Sequence, residues 1–173
     1  MMRRAVLILF SAAAMVLLFN SSCTVKLTGA TIPDELKTIN IEYFENNSPL
    51  VVNYLSQQFT ETLKDRIRSS TSLSIVQGES DARMSGNITN YTIEPVSIQA
   101  TNNNVAPIAG AERLTITVNV TYSNNADKRL NFSQSFSEHQ DFTGDIANQE
   151  RALITTINKQ LVDDIFNRAF ENW

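Results

Sequence analysis

One cysteine and one histidine are all that 173 residues offer. That scarcity excludes a disulfide framework and a zinc site built from Cys and His ligands. Basic charge is also short. Fourteen Lys and Arg stand against eighteen Asp and Glu, for a formal charge of −4 and a pI near 5.0. Nucleic-acid binders carry a basic footprint, so no nucleic-acid partner is expected. Charged residues of either sign make up 18%, below the roughly 25% usual in soluble domains. No G-x-G-x-x-G or phosphate loop occurs, which removes the common nucleotide-binding devices. What is present is 42% hydrophobic residues, enough for a sizeable core and against a disordered chain. The length fits one domain with a tail.

The tail is the N-terminus. Met1-Met2-Arg3-Arg4 is followed by an apolar run, Ala5 to Phe19, and then by Asn20-Ser21-Ser22-Cys23. A spanning helix needs about 20 apolar residues, and this run is shorter. A basic start, a short apolar core and small residues before a cut are the parts of a secretory signal. The single cysteine stands where the run ends, as the lipidated first residue of a bacterial lipoprotein does. Ser21 and Ser22 suit the two positions before such a cut, although Asn20 stands where leucine is usual. The reading is a signal peptide over 1–22 and a lipid anchor on Cys23 in a lead segment, 23–36. Two or more acyl chains, at about 0.8 kcal/mol per buried CH₂, give stable anchoring. Loss of Arg3 and Arg4 with the signal takes the charge from −4 to −6. Thr24 is permissive for the outer membrane, and the body is expected to face the periplasm. A plain secretory signal with Cys23 as an ordinary thiol is the alternative.

Residues 37–173 read as a single α+β domain. Thr38 to Phe44 alternates Ile39, Ile41 and Tyr43 against polar neighbours, a half-buried strand. Ser48 is placed to cap a helix with Pro49 at its first position. That helix, about Leu50 to Ser69, has Val52, Leu55, Phe59, Leu63 and Ile67 on one face. Leu73 to Val76 is a short strand. Met84 to Ala100 alternates with phase slips near Asn90 and at Pro95, which predict bulges and a sheet edge. Asn102 to Gly110 reads as a turn. Leu114, Ile116, Val118, Val120 and Tyr122 then alternate strictly with Thr115, Thr117, Asn119, Thr121 and Ser123. Asn124 to Lys128 turns the chain into a strand from Leu130 to Phe136. A second helix, from about Asn148 to the end, carries Leu153, Ile154, Ile157, Leu161 and Ile165 on one stripe. The order β-α-β-β-β-β-α predicts a two-layer sandwich. Its sheet is mixed but mostly antiparallel, with four to five strands and both helices on one face.

Chemistry-bearing sets are few. Ser137, His139 and Asp141 are triad-like, but alternate residues on a strand lie about 6.6–6.8 Å apart, and nucleophile-to-base contact needs about 3 Å. Asp163 and Asp164 are helix neighbours that do not face each other. Asn87 and Asn119 sit in Asn-x-Thr triplets that Asn/Thr alternation produces by chance. The notable feature is the far sheet face, Thr115, Thr117, Asn119 and Thr121, which is polar but uncharged.

Ordered blocks along the chain resemble the LptE family as found in Bacteroidota-type bacteria. They include Gly29-Ala30-Thr31-Ile32-Pro33, Lys37 to Phe44, Asn46 to Val51, Phe59 to Arg66, Gly86 to Tyr91, Arg113 to Val118, and the close from Leu161 to Trp173. The resemblance implies an outer-membrane lipoprotein of lipopolysaccharide transport, with a role and not a reaction, and with no cofactor. It implies a partner, the large LptD-like β-barrel, whose lumen such a protein plugs while aiding barrel assembly and lipopolysaccharide insertion. Under that resemblance the face of Thr115, Thr117, Asn119 and Thr121, or the adjacent turn from Asn124 to Lys128, would meet the barrel wall. Arg113, Lys128 and Arg129 would be candidates to contact the anionic lipopolysaccharide. The competing expectation is a general periplasm-facing binding or envelope-structure lipoprotein with no barrel partner.

Overall fold

The computed structural model describes residues 32–33, 35–50, 52–98 and 108–171. The signal segment, Cys23, the core of the turn around Pro107, and Trp173 lie outside the described residues.

Six strands and two long helices are arranged in the order β1 (Thr38–Ile41), β2 (Glu45–Asn46), α1 (Leu55–Ser70), β3 (Ser74–Ile75), β4 (Ala82–Ile98), β5 (Ile108–Asn124), β6 (Phe132–Thr143) and α2 (Glu150–Phe170). The sheet order is β3-β1-β4-β5-β6, with β2 pairing further along β4. The short strands pair in parallel and the long ones antiparallel. This is the α+β two-layer sandwich that the periodicities imply, with one further strand.

β5 lies between β4 and β6, and its alternation from Leu114 to Tyr122 leaves one face apolar. Leu114, Ile116, Val118, Val120 and Tyr122 are all 0% exposed. They meet Ile93, Tyr91, Ile88, Gly86 and Met84 of β4 in register. Gly86 is needed there: a side chain would run into the Asn119 carbonyl and the Phe44 ring. Phe44 occupies that space and packs edge-on against Phe59 of α1, with centroids 5.1 Å apart. The Tyr122 hydroxyl is buried, which pushes its pKa up to about 12.

Both helices cover this apolar face. Leu55, Phe59, Leu63 and Ile67 of α1 and Ile154, Ile157, Leu161 and Ile165 of α2 are fully buried. Gln58 Nε2 donates to Thr155 Oγ1 at 2.7 Å, and Arg66 lies 2.9 Å from Asp163 Oδ1 with its guanidinium over the Phe166 ring. The same sequence offset at both contacts means that α1 and α2 run parallel. Their N-termini, both partially positive, therefore lie at one end of the molecule. Glu150, in the first turn of α2, places its carboxylate there and accepts from Tyr54 Oη at 3.2 Å and Tyr91 Oη at 2.8 Å. Burial and this carboxylate raise the Tyr91 pKa.

Several local expectations are corrected. β1 stops at Ile41, and the phase changes so that Phe44 is buried and Tyr43 is 57% exposed. Ser48 does not cap a helix. Its hydroxyl and N–H donate to Asn46 Oδ1, and the hydroxyl also reaches the Leu50 carbonyl. That turn delays α1 to Leu55, leaving Val52 half-buried before it. The slips in β4 do occur, between Ile88 and Asn90 and between Val96 and Ile98, the second just beyond Pro95. Residues 108–110 belong to β5 rather than to a turn. β6 begins at Phe132 and continues past Phe136 to Thr143 because β5 offers it a backbone partner throughout.

Candidate functional site

Away from the helices, the three long strands present one continuous polar surface. Cross-strand pairing sets it out in rows: Ser85–Thr121–Ser133, Asn87–Asn119–Ser135, Asn90–Thr117–Ser137 and Thr92–Thr115–His139. Every one of these residues is half-buried or exposed. With rows two residues apart and strands about 4.8 Å apart, the patch measures roughly 20 by 10 Å. It holds no carboxylate, ammonium or guanidinium. Thr117 Oγ1 and Ser137 Oγ share a hydrogen bond at 2.9 Å, as do Thr121 Oγ1 and Ser133 Oγ at 3.0 Å. Asn90 Nδ2 donates to Thr92 Oγ1 at 3.3 Å. Thr89, in the bulge, donates to the Thr117 carbonyl at 3.3 Å. Asn119, Thr121, Ser133, Ser135, Ser137 and His139 are exposed, within reach of another polar wall or of water. The four residues singled out from β5 thus lie together at the centre of a patch three strands wide. The contributions from β4 and β6 were hidden in sequence because their alternation is interrupted.

Charge begins at the ends of the patch. The next row is Glu94–Arg113–Asp141. Arg113 grips Asp141 with both arms of its fork, Nε at 2.6 Å and Nη2 at 2.9 Å. The Arg113 hydrogen bonds hold the Asp141 carboxyl below the usual carboxylate range, and Asp141 raises the arginine in turn. Asp141 is therefore not available to orient His139. Ser137 is joined to Thr117, and among the described residues no hydrogen bond joins His139 to either. The triad-like spacing does not assemble into a triad.

Lys128 and Arg129 lie at the opposite end, in a 3-10 turn, Lys128–Leu130, between β5 and β6. Arg113 to Ser123 is ten residues of strand, so Arg113 stands roughly 34 Å from this turn. The three candidate cations form two separate groups. Arg129 folds back on Asp127, with Nη2 at 2.7 Å, while Lys128 is exposed and, among the described residues, makes no ion pair. Asn124 shapes the turn by accepting from the Ala126 and Asp127 N–H groups.

The lead segment joins the body at this same end. Asp81 Oδ2 accepts from Lys37 N, Thr38 N and Thr38 Oγ1 at 2.8–3.0 Å, and the Asp81 carbonyl accepts from Asn125 N at 2.9 Å. One side chain thus fastens the start of β1 beside the β5–β6 turn. Its hydrogen bonds from Thr38 and Lys37 lower its pKa.

Solved structures share this architecture. A minor lipoprotein from Acinetobacter baumannii superposes with a TM-score of 0.50 at 11% identity, covering 77% of this chain and 91% of that one. A protein from Xanthomonas campestris gives 0.52 at 10% identity, covering 80% and 92%. No curated protein matches by sequence. The class is thus a two-layer α+β fold shared with these two bacterial proteins. Residues 36–169 match the LptE family, described as lipopolysaccharide-assembly. The chain belongs to that family.

Proposed function

We propose that this protein is a non-enzymatic, lipid-anchored outer-membrane component of lipopolysaccharide assembly. In this reading its polar sheet face lies against the inner wall of a large LptD-like β-barrel. The observation that carries the reading is the four-row uncharged patch centred on Thr115, Thr117, Asn119 and Thr121. Barrel lumens are polar. Hydroxyls and amides can hydrogen-bond to such a wall without the desolvation cost that buried charges carry. A face meant only for water gains nothing from excluding charge over three strands. Family membership supports the assembly role. Anchoring would come from Cys23, with its lead delivered to the body at the Asp81 end. Lys128, exposed at that end and without an ion pair among the described residues, is the best placed of the three cations for an anionic lipopolysaccharide group. Arg129 and Arg113 are each forked onto a neighbouring aspartate, and Arg129 is the more exposed of the two.

The test is Thr117→Asp with Asn119→Asp. Exposed substitutions usually change stability by no more than about 0.5 kcal/mol, so the isolated domain should melt nearly as wild type. Against a barrel wall the carboxylates would be desolvated without partners. Recovery of the barrel complex should fall and outer-membrane permeability should rise. Wild-type recovery and permeability would assign the protein to an envelope role without a barrel on this face.

A further inference from the structure

The sheet ends on β6, and this edge is long. Among the described residues, Phe132–Thr143 pairs with β5 on one side and with nothing on the other. An unpaired strand presents a row of N–H and C=O groups that another extended chain can use. Proline, which would blunt the edge, is absent from β6.

The helix-facing residues of β6 mix aromatic and polar side chains: Phe132, Gln134, Phe136, Glu138, Gln140 and Phe142. α2 flanks them. Gln140 Nε2 donates to Gln160 Oε1 at 2.9 Å, and the Arg168 guanidinium lies 4.7 Å from the Phe132 ring centre. One helical turn beyond Gln160, Asp164 is brought against Glu138. Two carboxyl groups thus meet at the open edge. Burial, followed by the Asp164 charge, raises the Glu138 pKa. Among the described residues, neither forms an ion pair with a Lys or Arg. The neighbouring His139 belongs to the other sheet face.

A charge pointing inward on an edge strand normally discourages pairing. Here it discriminates. An apolar or acidic strand would leave two carboxylates uncompensated, while a basic strand would neutralise them. A second copy of this chain is a poor occupant. Two β6 strands paired antiparallel about Ser137 would gather both copies of Glu138 and Asp164 near the two-fold axis.

We propose that the β6 edge docks an extended basic segment of a protein partner, which adds a strand to the sheet and sets a Lys or Arg against Glu138 and Asp164. This surface is distinct from the polar face and does not depend on the barrel reading. Backbone pairing supplies the attachment and the carboxyl pair supplies selectivity.

The test uses the full chain in detergent micelles and two twelve-residue peptides of alternating Thr and Val, differing only in a central Lys or Glu. Fluorescence anisotropy should show the Lys peptide binding about tenfold tighter, the size of effect that one well-placed charge pair can deliver. Glu138→Lys with Asp164→Lys should reverse the preference. Amide hydrogen exchange should slow at alternate residues of β6 when the Lys peptide is bound, the signature of a new strand. No binding, equal binding of the two peptides, or binding that leaves the β6 amides at their free exchange rates overturns the proposal.

Discussion

Asn158 offers a sharp test of how the core is assembled. It lies on α2, 0% exposed, between the stripe that faces the sheet and the side that faces α1. Among the described residues, neither its Oδ1 nor its Nδ2 has a hydrogen-bond partner. An unsatisfied buried amide costs about 1–3 kcal/mol. Leucine has the same number of side-chain heavy atoms and the same branching, so Asn158→Leu removes the polar penalty without forcing the packing. Leucine is also the better helix former, by a few tenths of a kcal/mol. The variant should therefore be more stable by about 1–3 kcal/mol. At this domain size each kcal/mol moves the melting temperature by about 2–4 °C. Urea denaturation would show a higher midpoint at unchanged slope, and a thermal melt would move with it. A loss of stability would refute the reasoning. It would mean that the amide has a partner, and the candidate is a water shared with Gln58 of the facing helix, whose Oε1 also lacks one among the described residues.

Three further outcomes are expected. Leu161→Ala, at a fully buried position of α2, should cost about 2–5 kcal/mol, read from chemical denaturation; an unchanged midpoint would refute the packing. Glu138 binds its proton more tightly folded than unfolded, because its pKa is raised. It therefore contributes stability below its unfolded pKa, and that contribution is lost as pH rises through the folded value. Glu138→Gln should match wild type in acid and exceed it at neutral pH in parallel urea titrations, with equal stability at both ends counting against the pairing. Cys23→Ala should release the body from the membrane fraction unless a barrel retains it, and mass spectrometry of the wild-type N-terminus should find an acylated Cys23. An unmodified thiol would sink the anchoring.

What could be read in the sequence follows how evenly each element is buried. From Leu114 to Tyr122, β5 is covered by helices on one side and left polar on the other, so its alternation there is unbroken and both faces were legible. α2 was legible for the same reason, since its stripe lies wholly on the sheet. β6 was not, because α2 covers its helix-facing side unevenly and leaves room for Gln134, Glu138 and Gln140 among the phenylalanines. Phe44 and Tyr43 exchange their expected places because the chain leaves β1 at Ile41 and re-enters the sheet at β2. That depends on the space above Gly86, which no local pattern reports. The polar patch was half legible. Its β5 row stood out, but its width depends on registers with β4 and β6 that only folding reveals. Ion pairs such as Arg113–Asp141, twenty-eight residues apart, are equally invisible to spacing.

The clasp at Asp81 has a mechanical consequence. A tether pulling on the lead segment would load β1 along its own axis, between β3 and β4, both parallel to it. Such a load acts in shear, so the bonds to both neighbours resist together instead of peeling one by one. The carboxylate grips Lys37 and Thr38 at the point where the force enters. The Asp81 backbone carbonyl also ties that point to the β5–β6 turn by accepting from the Asn125 N–H. Strain from a body held at one end by lipid and at its flank by a partner would spread into the central strands before it reached the helices.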